Sequence, residues 1–112
     1  MSKICTSIKQ SKTLAEFLPL ESADMDYIPY TNIDGEYSIN VNIWDNDHVI
    51  EEGWIPCWSL SALLSVLPSA SLDNSDDHHF RLHCMEKFTE WHDNPIDACV
   101  EMICKLHEQK LL

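Results

Sequence analysis

The strongest constraint on the fold is a stretch of alternating apolar and polar residues that follows an Asp-Gly pair. Asp34-Gly35 is typical of a two-residue type I′ turn, in which glycine adopts a positive φ without steric cost. Residues 36–44 then alternate with period two, and their apolar members are Tyr37, Ile39, Val41 and Ile43. A single apolar face predicts an antiparallel hairpin with one packed side and one solvated side.

The position of this turn also predicts the register of the hairpin. A turn at residues 34–35 sets Tyr30 opposite Ile39 and Ile28 opposite Val41. Pro29 has no backbone N–H to donate, so we expect the first strand to lie at an edge of the sheet.

The C-terminal segment has the clearest helix pattern. Asn94 is a typical N-cap, and Pro95 suits the first helical position because its missing N–H is not needed there. We expect a helix over residues 95–109, with a buried stripe of Ile96, Cys99, Val100, Ile103 and Leu106. Two shorter helices are predicted over residues 12–18, capped by Ser11, and residues 60–67, capped by Ser59.

The remaining pattern completes an α+β prediction. Residues 78–85 alternate again and predict a strand, and a short strand is expected within 49–58. Residues 88–91 are expected to continue the strand at 78–85 or to form a second short strand. The Ser-, Asp- and Asn-rich residues 69–77 favour an exposed loop. We expect a small antiparallel sheet of about 3–5 strands with about three helices, the longest at the C-terminus, packed on one face.

The length of 112 residues fits one domain. We expect residues 1–10, which are polar, to form a flexible N-terminus, and residues 11–112 to form a single α+β domain. The N-terminus shows no apolar signal-peptide core, and no stretch approaches the roughly 18–20 apolar residues of a membrane span. A cytoplasmic protein without membrane contact is expected.

The charge excludes one class of partner. The chain has 19 acidic and 7 basic residues, a net charge of −12, whereas a nucleic-acid surface needs basic residues to contact phosphates. We therefore expect no direct binding of nucleic acid. The cysteines lack C-x-x-C spacing and are predicted to be free thiols, with reactivity or metal binding left open for Cys5, Cys57, Cys84, Cys99 and Cys104.

Motifs that carry catalysis or bind cofactors are absent from the sequence. The G-x-S-x-G, P-loop and H-E-x-x-H patterns do not occur, and the His and Cys spacing does not match a structural zinc site. We predict no catalytic residue, no metal and no cofactor. Cys57 is the least ordinary thiol, because it precedes a helix N-terminus that would favour a thiolate, with His48 or His92 as a candidate base.

Several large side chains could form an interface. Aromatic residues are typical anchors of protein interfaces, although they also cover cores. The candidate interface residues are Tyr27, Trp44, Trp54, Ile55 and Trp58.

Three segments carry a family resemblance. These are residues 21–25 (ESADM), 58–64 (WSLSALL) and 94–103 (NPIDACVEMI). Through them the chain, from residue 14 onward, resembles a family of small proteins found in gut Bacteroidetes and in their phages or mobile elements. That family has no known activity, so the resemblance implies no catalytic residue.

We therefore expect a non-enzymatic acidic binding or accessory protein that acts through a protein partner or through self-association as a homodimer. One alternative is a small Cys- or metal-dependent enzyme. Another is an acidic mimic of nucleic acid that inhibits a host defence protein.

Overall fold

The protein is α+β, with two separate antiparallel sheets. The computed structural model describes residues 4–29, 37–41, 54–76 and 79–112. In chain order the elements are α1 (Ile8–Ala15), a 3-10 turn (Leu20–Ser22), β1 (Met25–Pro29), β2 (Tyr37–Val41), β3 (Ile55–Cys57), α2 (Leu60–Val66), β4 (Ser71–Asp76), β5 (His79–Cys84), β6 (Lys87–Phe88) and α3 (Pro95–Glu108). The α+β class is confirmed, and the C-terminal helix is the longest of the helices described.

These elements belong to two compact units, Cys5–Ser59 and Leu60–Leu112. The strands that we expected in one sheet are divided between them, with order β2-β1-β3 in the first unit and β4-β5-β6 in the second. The single domain and the flexible N-terminus stay predictions.

The first sheet has its central strand where an edge was expected. Met25 pairs with Val41 on one side and with Cys57 on the other, so β1 lies between β2 and β3. Pro29 is tolerated because β3 pairs only with residues 25–27, and Pro29 lies beyond them at the end of β1. The antiparallel pairing is confirmed, and the prediction of an edge position is wrong.

The predicted register of the hairpin is also wrong. Ile28 lies opposite Ser38, not Val41, and Tyr27 lies opposite Ile39. Pairing of Pro29 with Tyr37 leaves residues 30–36 between the two strands, so a two-residue turn at 34–35 does not set the register. The loop itself lies outside the described residues. The register of β1 with β2 is therefore set by pairing across the sheet and not by the local turn signal.

Helix α1 begins earlier than predicted. Ser7 is its N-cap, and a capping box joins Ser7 to Gln10, whose backbone N–H donates to the Ser7 hydroxyl at 3.1 Å. The predicted cap, Ser11, is instead buried within the helix, where its hydroxyl bonds to that of Thr6 at 2.7 Å. The Ser-x-x-Gln pattern at residues 7–10 was present in the sequence and is the stronger start signal.

In the second unit, the predicted patterns of β5 and α3 are confirmed. Leu82 and Cys84 are buried on one face of β5, and α3 packs against β5 and α2. Asn94 caps α3, because its side-chain oxygen accepts the backbone N–H of Asp97 at 2.8 Å. The predicted stripe of α3 is buried throughout: Ile96, Cys99, Val100, Ile103 and Leu106.

Residues predicted as a loop form strand β4. Ser71 pairs with His83 and Asp73 pairs with Arg81 in an antiparallel ladder with β5. Three polar residues of β4 are exposed to solvent, Ser71, Asn74 and Ser75. The strand therefore forms without burying these side chains. Its backbone hydrogen bonds to β5 outweigh the low strand propensity of Ser, Asp and Asn.

The connection between β5 and β6 holds two residues in a left-handed conformation. Cys84 pairs with Lys87, and between them Met85 has φ 52° and Glu86 has φ 64°. Positive φ at both positions is the requirement of a type I′ turn, which glycine or asparagine meets more easily. A residue with a Cβ pays roughly 1–2 kcal/mol to adopt this conformation.

We therefore expect Glu86→Gly to raise the free energy of unfolding by about 0.5–1 kcal/mol, because glycine relieves the left-handed strain. Urea unfolding of the purified protein measures this change. Glu86→Ala is the matched control, since it removes the same charge and keeps a Cβ. Equal stability of the two variants would show that charge, and not backbone strain, sets the effect.

Candidate functional site

An arginine lies over two exposed aromatic rings in the second unit. The guanidinium carbon of Arg81 is 4.4 Å from the ring centroid of Phe88 and 4.6 Å from that of Trp91. The His83 ring stacks on Phe88, with centroids 4.3 Å apart and an interplanar angle of 8°. We call these four residues, His83, Arg81, Phe88 and Trp91, the aromatic–arginine surface.

Strand geometry explains why these side chains meet. Successive side chains of a strand point to opposite faces, so Arg81 and His83 face away from the buried Leu82. Phe88 pairs directly with His83 across the β5–β6 ladder and therefore shares its face. The alternation of β5 thus places a cationic and an aromatic side chain beside Phe88.

The guanidinium of Arg81 is held from several directions. Its Nη2 forms an ion pair with Asp73 Oδ2 on β4 at 3.2 Å. Its Nε is buried and has no hydrogen-bond partner among the described residues, as expected for a planar group covered by rings. Arg81 is the only arginine in the sequence, and a lysine could not reproduce this stacking.

Three apolar side chains at or beside this surface are about half exposed. Phe88 is 48% exposed, Trp91 is 44% exposed, and Met85 in the adjoining turn is 47% exposed. Exposed apolar side chains that cluster in this way are typical of surfaces that bind a partner. Aromatic residues, arginine and methionine are the types enriched in protein interfaces.

Helix α3 anchors the segment that carries Trp91. Glu101 on α3 accepts the backbone N–H of Glu90 at 3.1 Å and contacts the ring Nε2 of His92 at 2.8 Å. His92 also exchanges two backbone hydrogen bonds with Phe80, both of 2.7 Å. The backbone on both sides of Trp91 is therefore held by hydrogen bonds, while its ring lies against the Arg81 guanidinium.

The interface residues predicted from the sequence do not form this surface. In the first unit, Ile55 and Trp58 are buried, and the Trp58 indole donates to the Ser22 hydroxyl at 2.9 Å. Tyr27 and Trp54 are half-buried, and an interface role for them stays a prediction. Trp44 lies outside the described residues.

Sequence reasoning could have found the aromatic–arginine surface. The alternation of residues 78–85 puts Arg81 and His83 on one face of the strand and Leu82 on the other. The sequence does not predict the tight connection to the next strand, because residues 85–88 contain no glycine or asparagine. Only the turn at Met85 and Glu86 brings Phe88 next to β5.

Neither Cys57 nor Cys99 has the environment of a catalytic nucleophile. A hydrogen bond with Cys5, reinforced by burial, raises the pKa of the Cys57 thiol above its usual range, and the carboxylates of Asp26 and Asp24 add to the effect. Burial likewise raises the pKa of Cys99 to about 12. A catalytic thiol needs the opposite shift. Of the proposed bases, His48 lies outside the described residues and His92 contacts Glu101.

The described residues contain no group of three or more His, Cys, Asp or Glu side chains that could hold a metal ion. This statement covers residues 4–29, 37–41, 54–76 and 79–112.

The contact of Arg81 with Trp91 is testable by a double-mutant cycle. We expect Arg81→Ala, Trp91→Ala and the double variant to give a coupling energy of about 0.5–1 kcal/mol in urea unfolding, the value of a partly exposed cation–π contact. Arg81→Ala combined with Lys12→Ala, an exposed residue of α1, is the control and should be additive. Additivity of the Arg81 and Trp91 changes would contradict the contact.

Comparison with known proteins identifies no relative of this chain. No family model, no curated protein and no solved structure matches the chain. No helix within the described ranges is long and apolar enough to cross a membrane. The aromatic–arginine surface and the charge of the chain are the features that bear on function.

Proposed function

We propose that the protein is a non-enzymatic, acidic binding protein that acts through a protein partner, and that the aromatic–arginine surface makes the contact. The observation that carries this proposal is the single arginine lying over two half-exposed aromatic rings. Tryptophan and arginine are the residue types that most often dominate the binding energy of protein interfaces.

The stacking also lowers the entropic cost of association. Arg81 is held by Asp73 and by the two rings, and Phe88 is held by His83. Side chains that are already ordered lose little conformational freedom when a partner covers them. The apolar area of Phe88, Trp91 and Met85 is then available to drive binding.

The net charge of −12 has a separate role in the proposal. An acidic surface attracts basic partners over long range, which raises the association rate at low salt more than it raises affinity. We propose that the partner is reached in the cytoplasm. The family resemblance supports a gene carried by a phage or a mobile element.

The test compares variants in affinity purification from cells of the native host. We expect Phe88→Ala/Trp91→Ala to weaken capture of the partner by at least about 30-fold, since loss of a central anchor typically costs 2 kcal/mol or more. Ile39→Ala/Leu72→Ala is the matched control, because it removes two exposed apolar side chains, 41% and 37% exposed, that are not members of the aromatic–arginine surface. Equal capture by both variants would overturn the proposal.

The acidity favours a second candidate function, mimicry of nucleic acid to block a host defence protein. The two functions differ in their response to salt and to the variants. Binding by mimicry should survive Phe88→Ala/Trp91→Ala and disappear at about 0.5 M salt, where charges on the surface are screened. Binding through the aromatic–arginine surface should show the reverse pattern.

Self-association is distinguished by mass. A homodimer formed through the aromatic–arginine surface would appear in light scattering as a doubled mass that Phe88→Ala/Trp91→Ala returns to the monomer value.

A further inference from the structure

Two cysteine thiols meet inside the first unit. Cys57 on β3 and Cys5, which precedes α1, lie in one buried cluster, and interaction with Cys5 contributes to the raised pKa of Cys57. Both side chains are buried, with 0% and 3% exposure, and they share an apolar cluster with Met25. Tyr27 packs against this cluster, and its hydroxyl is 3.5 Å from the Cys5 sulfur.

The backbones that carry these thiols are hydrogen-bonded at the next residue. The Thr6 N–H donates to the Trp58 carbonyl at 2.9 Å, and the Trp58 N–H donates to the Thr6 hydroxyl at 3.1 Å. A disulfide requires Cα atoms about 4.4–6.8 Å apart and side chains that point toward each other. The Thr6–Trp58 hydrogen bonds bring the two backbones together one residue from the cysteines, and the thiols share one buried cluster, which is the proximity that a disulfide needs.

We infer that Cys5 and Cys57 form a site of oxidative modification, at which a peroxide converts the two thiols into a disulfide that joins the two ends of the Cys5–Ser59 unit. The inference rests on the contact of the thiols and on the hydrogen bonds of Thr6 with Trp58, and it is independent of the proposed function.

The chemistry balances with hydrogen peroxide as the oxidant. The sulfur of Cys5, the less completely buried of the two, attacks one peroxide oxygen; an S–O bond forms, the O–O bond breaks, and the departing hydroxide takes the Cys5 proton and leaves as water. The Cys57 sulfur then attacks the Cys5 sulfur of the sulfenic acid, the S–O bond breaks, and the hydroxide takes the Cys57 proton to leave as a second water. Two thiols are oxidised by two electrons, and one peroxide is reduced to two waters.

The disulfide would close a loop that contains α1, β1 and β2 and ends on β3. A cross-link across a loop of this length removes much of the conformational freedom of the unfolded chain. We therefore expect the oxidised protein to be more stable than the reduced protein.

The environment of the pair sets the speed of the reaction. The raised pKa of Cys57 leaves little thiolate at neutral pH to attack the sulfenic acid of Cys5. Closure of the disulfide should therefore be slow compared with closure by an exposed, acidic thiol. This behaviour suits a structural cross-link that accumulates under sustained oxidation and not a fast peroxide sensor.

The experiment treats the purified full-length protein with hydrogen peroxide and maps its peptides by mass spectrometry without reduction. We expect a Cys5 peptide linked to a Cys57 peptide, a loss of two hydrogen atoms from the intact mass, and a rise in Tm of several degrees that dithiothreitol reverses. The wild-type map needs no variant, so it is decisive even if a substituted protein folds poorly.

Two variants sharpen the result. Cys57→Ser should lose both the linked peptide and the rise in Tm, whereas Cys104→Ser, a half-exposed cysteine of α3, should keep both. Sulfinic acid at Cys5 without a linked peptide, a different cysteine pair, or a link without a gain in Tm would each overturn the inference.

Discussion

Thr6 joins three separate parts of the first unit. It is fully buried, and its hydroxyl accepts the backbone N–H of Trp58 and bonds to the hydroxyl of Ser11. Its carbonyl accepts the phenolic O–H of Tyr27 at 2.8 Å. A buried polar group left without partners costs about 1–3 kcal/mol. Satisfying the polar groups of Thr6 therefore favours an arrangement in which the segment before α1 contacts α1, β1 and the end of β3. The contact of Cys5 with Cys57 follows from this arrangement, because each thiol lies one residue from the hydrogen-bonded pair.

In the second unit, one strand serves both the core and the surface. Leu82 is buried on the face of β5 that α3 covers, while Arg81 on the opposite face lies over Phe88 and Trp91. A shift of one residue in this strand would bury the arginine and expose the leucine. The packing that stabilises the unit therefore also fixes the surface that we propose for binding.

The features predicted from the sequence are those encoded locally. Helix α3 is recognised because its cap, Asn94, and its buried stripe lie within one segment, and β5 is recognised from its own alternation. The register of β1 with β2 depends on pairing across the sheet, which a local turn signal does not determine. The contact of Thr6 with Trp58 joins residues 52 positions apart, and no local pattern in the sequence predicts it. The aromatic–arginine surface falls between these cases, since the alternation of β5 puts Arg81 and His83 on one face, whereas no local pattern pairs Phe88 with that strand.

The polar composition of β4 affects how its unpaired edge interacts with other molecules. Among the described residues β4 pairs only with β5, so its other edge presents backbone groups to which a strand of another molecule could add. Ser71, Asn74 and Ser75 give that edge a hydrated, weakly strand-forming character, and Asp73 adds a negative charge. Side chains of this kind make addition of a foreign strand unfavourable. The segment that looks least like a strand in the sequence thereby forms an edge that is poorly suited to add a strand from another molecule.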